Sequence, residues 1–342
     1  MPRLTYEGNP IPLEPGQTVL DAAHASGIDL PCSCRNGVCQ SCLVKAEPGT
    51  TPPPGSQKGL KPSLTQRGYF LACVARPTED LAVVPPDAEA GSISAAISAV
   101  ETLSPTVARI RFTAVNAATT ILSDYRAGQF ITILREDALA RSYSIANIPS
   151  ADGDIEIHVR RIEGGRMSSW LCDDKPVGAT VQLRGPAGDC FYLGHPDEPL
   201  LLVGTGTGLA PLVGIARDAL THNHRAPIHL YHGALHRDGL YLQSGLRALE
   251  AAYPSLSVTL CTLNGEADSD DPDAPDAIGK LDDLVLQRTT DLPAQRTYIC
   301  GDPGFVHSFR KRLFIAGARM NAIHADAFEI APPPASATQP CA

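Results

Sequence analysis

The stretch CSCRNGVCQSC, residues 32–42, carries four cysteines and decides how the N-terminal part of the chain folds. Counted from its second cysteine the pattern is CxxxxCxxC, and a further cysteine follows downstream in GYFLAC, residues 68–73. This is the plant-type spacing of the ligands of a [2Fe–2S] cluster. The predicted ligands are Cys34, Cys39, Cys42 and Cys73.

Zinc is the alternative occupant, because four thiolates also form a tetrahedral zinc site. Structural zinc sites tend to use pairs of CxxC-like knuckles, and here only Cys39 and Cys42 form one. Gly37 permits the close backbone approach that a loop around a small inorganic core requires. Cys32 stands outside the spacing. The pattern therefore favours iron–sulfur over zinc.

The composition is that of a globular protein with room for several domains. The chain has 342 residues, of which 43% are hydrophobic and 19% charged, and its formal net charge is −9. An acidic balance argues against non-specific binding of nucleic acid, which needs an excess of Lys and Arg. The opening MPRLTYEGNP has no signal-peptide pattern, and no run approaches the roughly 18 apolar residues of a membrane span. We expect a cytoplasmic protein that binds neither nucleic acid nor membranes.

Short elements surround the cysteine loop. QTVLDAAHASGI, residues 17–28, predicts a helix with Thr18 as its N-cap and Gly27 as its stop. LTYEG, IPLEP, SCLVKAE and LAVVP read as strands. VPPDAEAGS, residues 84–92, is typical of a linker.

Alternating strands with turn signals run from about residue 93 to about residue 190 and suggest a small antiparallel barrel. Within it, ARSYSIAN offers a guanidinium, an aromatic face and a hydroxyl on one strand, although a surface Arg and ordinary strand aromatics give the same letters. In IHVRRIEGGRMSSWL a strand leads into Gly164 and Gly165, and a helix is predicted to begin near Ser168. Free amides at a helix start favour a diphosphate.

From residue 199 the period changes to alternating strands and helices, which implies a parallel sheet with a crevice at the carboxyl ends of its strands. PLLLVG is a strand, GTGTGLAP a glycine turn and PLVGIARDALTH a helix. GTGTGLAP is not the GxGxxG fingerprint, but its glycines can cradle a nucleotide diphosphate. CGDP, residues 300–303, ends a later strand at the same edge.

RSYS, GGRMSSWL, GPAGDCF, GTGTGLAP and CGDP occur in an order that resembles the ferredoxin–NADP reductase superfamily. With a plant-type ferredoxin in front, the chain is similar to reductase components of bacterial aromatic-ring dioxygenases and multicomponent monooxygenases, of the naphthalene dioxygenase reductase kind. The resemblance implies a β-grasp ferredoxin domain (1–90), an antiparallel FAD-binding barrel (91–195) and a Rossmann-like NAD(P)H-binding domain (196–331). Residues 332–342 are expected to be a disordered tail.

Roles follow from the resemblance wherever a motif matches. Arg141 is expected at the FAD pyrophosphate, Tyr143 on the flavin ring and Ser144 near its reactive nitrogen. The diphosphate site is expected to be completed by Gly165, Arg166, Met167 and Ser168. The residues expected at the pyridine nucleotide are Gly204, Thr205, Gly206, Gly208, Cys300 and Gly301. DAF matches the ending of the superfamily, so Asp326 is expected to polarise the hydride-transfer pocket and Phe328 to shield the flavin.

These cofactors imply a relay in which NADH gives a hydride to FAD, and FAD passes single electrons to the cluster and on to a terminal oxygenase or a separate ferredoxin. Asp238 favours NADH, whereas His236 and Arg237 favour NADPH, and the resemblance tips the choice to NADH. Two alternatives stay open from the sequence. One is a stand-alone reductase of ferric chelates or quinones, and the other is a zinc-binding sensor with a degenerate flavin domain.

Overall fold

The computed structural model describes residues 2–87, 92–115, 125–150, 153–265 and 274–329. Residues 88–91 of the predicted linker (84–92) and the whole predicted tail (332–342) lie outside these residues. The described residues form two compact units, one made of 2–87 with Leu134–Arg141 and the other of Ser92–Ile133 with Ser142–Phe328. The three domain boundaries inferred from the sequence stay predictions.

The first unit is a mixed sheet with a short helix, as expected of a β-grasp. Its strands and helices are β1 (Leu4–Tyr6), β2 (Asn9–Ile11), α1 (Val19–Ala25), β3 (Leu43–Ala46), α2 (Pro62–Thr65), β4 (Tyr69–Leu71) and β5 (Leu81–Val84). Across the sheet the order is β2-β1-β5-β3-β4. β1 and β5 are parallel, and the other pairs are antiparallel. The predicted strand IPLEP begins too late, because the pairing partner of β1 ends at Ile11.

Helix α1 begins and ends where the sequence predicts. The Thr18 side chain accepts a hydrogen bond from the Asp21 amide at 3.1 Å and donates to the Asp21 carboxylate at 2.6 Å. Gly27, just past the helix, has φ of +77°, which glycine adopts without strain. Val19, Leu20, Ala22 and Ala23 are buried against the sheet, so the apolar face of α1 is part of the unit's core.

The second unit begins with an antiparallel sheet that closes on itself. Its strands are β6 (Ser92–Ser104), β7 (Val107–Ala114), β8 (Phe130–Leu134), β9 (Ala140–Ser144), β10 (Ile155–Arg160) and β11 (Thr180–Ala187), in the order β10-β7-β6-β11-β8-β9. An antiparallel bridge between Ile145, just after β9, and Ile157 in β10 joins the two edge strands. The sheet is therefore a barrel, as the alternating pattern predicts.

A short helix follows β10 and begins earlier than the sequence indicates. Helix α3 spans Arg166–Ser169 and continues as a π-helix over Trp170–Asp174. Gly165 is its N-cap, so the predicted start at Ser168 was wrong by two residues. The whole first turn therefore follows directly on the two glycines.

The remainder is a parallel sheet covered on both faces. Its strands are β12 (Leu200–Thr205), β13 (Ile228–Ala234), β14 (Leu256–Thr262), β15 (Ala277–Ile278), β16 (Arg296–Gly301) and β17 (Ile323–Ala327), in the order β15-β14-β13-β12-β16-β17. Its helices are α4 (Leu209–Thr221), α5 (Gln243–Ala252), α6 (Leu281–Arg288) and α7 (Pro303–Ile315). Every described strand pair is parallel.

Burial on both faces explains why β12 reads as an unbroken apolar run. Leu200 and Leu202 pack with residues of α4, whereas Leu201 and Val203 pack with residues of α6 and α7. β12 and β16 are neighbours, yet the helices that follow them cover opposite faces. Such a switch in direction opens a crevice at the carboxyl ends of the two strands.

No helix in the described part of the chain is long and apolar enough to cross a membrane.

Replacement of the N-cap of α1 tests this description of the first unit. Thr18→Ala removes the acceptor of the Asp21 amide, and we expect it to lower the free energy of unfolding of this unit by about 1 kcal/mol. The measurement is urea unfolding of the holoprotein followed by visible circular dichroism of the cluster. Thr51→Ala, at an exposed position, is the control and should leave the midpoint unchanged. Equal midpoints for both variants would contradict the capping assignment.

Candidate functional site

The four predicted ligand thiols lie in two close pairs. Cys34 and Cys39 form one pair and Cys42 and Cys73 the other, each within hydrogen-bonding distance. Within each pair one thiol donates to the other, and this lowers the pKa of Cys39 and of Cys73. Three of the four are buried, whereas Cys34 is partly exposed. The loop thus brings together residues far apart in sequence.

Backbone amides of the loop point at the sulfurs. The Cys34 amide lies 3.4 Å from Cys39 Sγ, and the Cys39 amide lies 3.3 Å from Cys34 Sγ. Asn36 N donates to Cys34 Sγ at 3.5 Å, and Gly37 N donates to Cys73. Amide donors of this kind stabilise negative charge on thiolate ligands and tune a cluster's potential.

The loop holds a conformation that costs backbone strain. Arg35 and Gln40 have φ of 55° and 58°, which non-glycine residues rarely adopt. Gly37 has φ of +82°, and a Cβ there would lie 3.2 Å from Val74 Cγ1. The Arg35 guanidinium bonds to Asp21 in α1 at 2.9 Å and anchors the loop on the helix.

This donor set fits a two-iron cluster. A [2Fe–2S] cluster takes two terminal ligands on each iron, and two pairs of thiols match that requirement. A single zinc ion requires four ligands around one point. Among the described residues, no group of three or more His, Cys, Asp or Glu side chains is arranged to hold a single metal ion.

Strand β9 carries the predicted flavin contacts. Tyr143 is half-buried, and Ser144 is 8% exposed. The Ser144 hydroxyl donates to Asp326 Oδ2 at 3.0 Å. Arg141, also half-buried, donates to the Ala140 carbonyl at 2.7 Å. A hydroxyl, an aromatic ring and a guanidinium are thus arranged along one strand, which is a chemistry that suits a flavin nucleotide.

The loop before α3 is closed by Ser168. Its hydroxyl accepts from the Ile162 amide at 3.1 Å and lies 3.2 Å from the Gly165 carbonyl. A Cβ on Gly165 would lie 2.5 Å from Ser168 Oγ and 3.0 Å from the Ile162 carbonyl oxygen, so a side chain there would force the loop to shift. No side chain in the described part of the chain caps α3. Its first amides suit a diphosphate, and Met167, whose side chain is buried, can contribute only its backbone.

Three predicted residues meet at the end of β16. Cys300 in β16 is paired in register with Asp326 in β17, and Asp326 accepts from Ser144. Asp326 is half-exposed as a residue, but its carboxyl group is enclosed, and this enclosure raises its pKa to about 6. Burial raises the pKa of the Cys300 thiol, so it stays protonated. Cys190 Sγ, in the GPAGDCF turn, lies 3.5 Å from Cys300 Sγ.

The glycine turn is packed against the same strand end. A Cβ on Gly208 would lie 2.2 Å from the Cys300 carbonyl oxygen, and a Cβ on Gly301 would lie 2.5 Å from the Thr205 carbonyl oxygen. Thr205 Oγ1 accepts from the Asp302 amide at 3.0 Å. A Cβ on Gly204 would lie 2.7 Å from Leu212 Cδ1. These glycines are therefore needed for close packing at the crevice, and the turn they form fits a nucleotide diphosphate.

Two other predicted residues lie near the surface. Asp238 is exposed in a short 3₁₀ turn, Arg237–Gly239, after β13. Phe328 follows β17, and its amide donates to the Gly301 carbonyl at 2.9 Å. This bond continues the ladder between β16 and β17 past the end of the strands, and it fixes the backbone of Phe328 beside the crevice.

The sequence did not single out two residues beside the turn. Arg160, exposed at the end of β10, has its Nη1 atom 3.9 Å from the position of a Cβ on Gly206. His232, fully buried in β13, lies with Nε2 3.0 Å from the Gly206 carbonyl. Neither residue belongs to a sequence motif, because each is brought beside Gly206 by the arrangement of strands in the fold. The only available signal for Arg160 was a basic residue at the end of the strand that leads to Gly164 and Gly165.

Three family profiles match successive parts of the chain. They are the 2Fe-2S iron-sulfur cluster binding domain over residues 4–78, the oxidoreductase FAD-binding domain over 94–192 and the oxidoreductase NAD-binding domain over 202–311.

Two curated proteins are similar over nearly their whole length. The ferredoxin–NAD(P)+ reductase component of naphthalene 1,2-dioxygenase/salicylate 5-hydroxylase systems from Ralstonia sp. is 30% identical over 92% of this chain and 94% of its own. The reductase subunit of an aromatic O-demethylase from Amycolatopsis sp. is 33% identical over 88% and 90%.

Two solved structures are similar along almost the full chain. An Amycolatopsis cytochrome P450 reductase has a TM-score of 0.64 at 29% identity, covering 96% of this chain and 99% of its own. The ferredoxin reductase of carbazole 1,9a-dioxygenase has a TM-score of 0.63 at 26% identity, covering 96% and 98%.

Addition of a methyl group to the glycine turn tests the packing at the crevice. Gly208→Ala forces the turn or β16 to shift, and we expect a loss of about 2 kcal/mol in stability together with weakened binding of NAD(P)H. Steady-state kinetics and thermal unfolding measure both effects. Gly245→Ala is the matched control, because a Cβ there meets nothing within 4 Å. Unchanged kinetics in Gly208→Ala would show that the turn tolerates a side chain.

Proposed function

The chain belongs to the family of iron–sulfur flavoprotein reductases that includes the reductase components of aromatic-ring dioxygenase systems, and we propose that it supplies electrons to a terminal oxygenase. It is an NAD(P)H-dependent oxidoreductase, and its cofactors are a [2Fe–2S] cluster, FAD and a pyridine nucleotide. The observation that carries the proposal is the presence of all three cofactor domains, in this order, on one chain.

When bound, the pyridine nucleotide would supply a pair of electrons as a hydride, FAD would supply the change from paired to single electrons, and the cluster would supply one-electron transfer. The protein's own groups bind these molecules, orient them and set the charge around them. Acid–base catalysis by a free side chain is not required for such a transfer. What matters is which groups stand at the crevice and which protons they hold.

We assign Ser144, Cys300 and Asp326, which meet at the end of β16, to the place where hydride transfer occurs. The Ser144 hydroxyl is oriented by its bond to Asp326, so its oxygen lone pairs remain for a ligand donor. Cys300 stays a neutral thiol because burial raises its pKa. Above pH 6 Asp326 is ionised, and its negative charge would stabilise positive charge on a nicotinamide bound beside it. Phe328 is assigned to the flavin face.

We assign FAD to Arg141, Tyr143 and the start of α3. The guanidinium suits the pyrophosphate, the Tyr143 ring suits the isoalloxazine, and the amides at Gly165 to Ser168 complete the diphosphate site. For the second nucleotide we propose the turn Gly204–Gly208 with Gly301. Asp238 supports NADH as the donor, since a carboxylate accepts from ribose hydroxyls and repels an added phosphate.

At the other end, electrons leave through the cysteine loop. Val38, between two of the ligand cysteines, is 57% exposed, so an apolar side chain stands on the surface directly beside the sulfurs. A small apolar spot near a redox centre is suited to brief docking of a partner protein. The relatives serve a naphthalene dioxygenase, an O-demethylase and a cytochrome P450, and we propose an oxygenase of one of these classes as the acceptor.

We also propose a reducing compartment, the cytoplasm, for this protein. None of the nine cysteines in the described residues forms a disulfide, and four of them are the proposed cluster ligands.

Removal of one cluster ligand tests the relay. Cys42→Ser should keep NADH-dependent reduction of ferricyanide, because that acceptor takes electrons from the flavin. It should lose reduction of cytochrome c and coupled turnover with a purified oxygenase, because one-electron exit needs the cluster. Cys32→Ser, a half-buried cysteine outside the pairs, is the control and should behave as wild type.

The outcomes separate the alternatives. Loss of both activities in Cys42→Ser would contradict a relay in which the flavin stands before the cluster. If wild type reduces ferric chelates and quinones but never supports an oxygenase of any of the three classes, the chain is a stand-alone reductase instead.

The charge on Asp326 predicts a pH dependence of hydride transfer. The rate of flavin reduction by NADH should rise as pH increases through about 6, because the carboxyl group loses its proton there. Asp326→Asn should abolish this rise and lower the rate at pH 8 by about tenfold. Ser144→Ala removes a bond that lowers the pKa of Asp326, so its inflection should move to higher pH. Stopped-flow absorbance measures the rate, and a flat wild-type profile would disprove the assignment.

A further inference from the structure

Tyr241 stands between two buried histidines in the second unit. Its hydroxyl lies 3.1 Å from His158 Nδ1, and its ring meets the rings of His158 and His232 edge to face, with centroids 5.4 Å and 5.5 Å apart. All three side chains are buried, at 1%, 4% and 0% exposure. They come from three different parts of the chain, so the cluster joins a barrel strand, a strand of the parallel sheet and the segment after it.

The hydrogen bonds of the cluster are consistent with one proton arrangement. His158 Nε2 lies 3.1 Å from Glu156 Oε1, so the imidazole donates there and Nδ1 accepts from the Tyr241 hydroxyl. Glu156 is held ionised, because its bond with His158 and the charges of Arg109 and Arg111 lower its pKa to about 2. Tyr241 is therefore anchored through His158 on an ionised carboxylate of β10.

His232 connects the cluster to the nucleotide turn. Burial lowers the pKa of His232 to about 4, so the ring is neutral and donates from Nε2 to the Gly206 carbonyl at 3.0 Å. Its Nδ1 is buried without a hydrogen-bond partner in the described residues. A buried nitrogen without a hydrogen bond lowers the stability of the folded protein, and an apolar residue at this position would avoid that loss. The single bond that His232 does make fixes the orientation of the Gly206 peptide.

That peptide matters for an anionic ligand. Gly206 has φ of +53° at the start of the 3₁₀ turn Gly206–Gly208. If the Gly206 carbonyl oxygen pointed at a diphosphate, its partial negative charge would repel that ligand. The hydrogen bond from the buried His232 ring holds this oxygen in the protein interior instead. His232 thereby keeps the turn in a form that an anion tolerates.

The cluster also fixes the segment that carries Asp238. Tyr241 follows the 3₁₀ turn Arg237–Gly239 by two residues, and Leu242 after it has φ of 57°, a strained value for a side chain with a Cβ. The buried ring of Tyr241 holds this strained backbone. The Arg237–Gly239 turn, which carries Asp238, and the Gly206–Gly208 turn are thus both held in place by the cluster of Tyr241, His158 and His232.

We propose that His232 and Tyr241 are positioning residues for the pyridine nucleotide, with His232 setting the Gly206 turn and Tyr241 setting the Asp238 segment. This inference rests on the proposed function, because it takes these two turns as the NAD(P)H site. Both side chains are buried in the protein. Both act through the backbone of these turns.

The test separates binding from chemistry. In His232→Leu, which loses the donor to Gly206, KM for NADH should rise about tenfold, or about 1.4 kcal/mol, with kcat for ferricyanide reduction within about twofold of wild type. His232→Gln has an amide N–H that can replace Nε2 as the donor and should restore KM. Tyr241→Phe loses only the hydroxyl and should raise KM about threefold. Flavin and iron contents should equal those of wild type.

A histidine on the same strand provides the matched control. His229 in β13 is bonded to Ser257 Oγ at 2.8 Å and is paired in register with Leu201, near the start of β12 and away from the turn, so His229→Leu should leave KM unchanged. A merely structural role for His232 would lower the unfolding temperature of Leu and Gln variants alike without a change in KM, and that result would overturn the proposal. So would a fall in kcat at constant KM.

Failure of the proposed function looks different. If wild type binds flavin but oxidises neither NADH nor NADPH, the assignment of the nucleotide site is wrong. If wild type is active and all three variants match its KM, only the present inference is wrong. Should His232→Leu fail to fold, Tyr241→Phe and His232→Gln decide the question, and an unchanged KM in Tyr241→Phe then counts against it.

Discussion

The contact between the backbones of Gly208 and Cys300 is the constraint on which the catalytic half of the molecule depends. β12 and β16 are neighbours in the sheet, and the helices that follow them cover opposite faces. The chain therefore leaves the two strands in diverging directions and opens a crevice. The glycine turn can fold back onto the end of β16 only because Gly208 has no Cβ to meet the Cys300 carbonyl. The close packing of Gly208 on Cys300 therefore brings the glycine turn against the end of β16 at the crevice.

Polar groups at this edge are arranged by neighbouring strands rather than by neighbours in sequence. The register of β16 and β17 brings Cys300 beside Asp326, and the register of β12 and β13 brings Gly204 beside His232. Each of these groups is enclosed, so its pKa differs from that in water: burial raises the pKa of the Cys300 thiol, lowers that of His232 to about 4 and raises that of the Asp326 carboxyl to about 6. Of the three groups, Asp326 is the one that is charged at neutral pH.

The iron–sulfur end follows a different physical rule. Its ligands are supplied by a single loop and one downstream cysteine, and the loop is rigid because its amides bond to sulfurs and Arg35 anchors it on α1. The strained backbone at Arg35 and Gln40 allows the loop to bring the four thiols into two pairs. A site of this kind is local, so its chemistry can be read from spacing.

Sequence alone was sufficient for the features that depend on near neighbours in the chain. Cysteine spacing predicted four thiols that the fold brings into two close pairs, Thr18 and Gly27 predicted the bounds of α1, and the change of period at residue 199 predicted a parallel sheet after a barrel. The sequence patterns did not predict helix α6, strand β17 or the start of α3 at Arg166, because the local signals there are weak. Only the tertiary structure decided the pairing of Ser144 with Asp326, of Cys190 with Cys300 and of His232 with Gly206. The physical reason is that such contacts follow from strand order and register, which are set by the packing of the whole sheet and leave no mark in the spacing of adjacent residues.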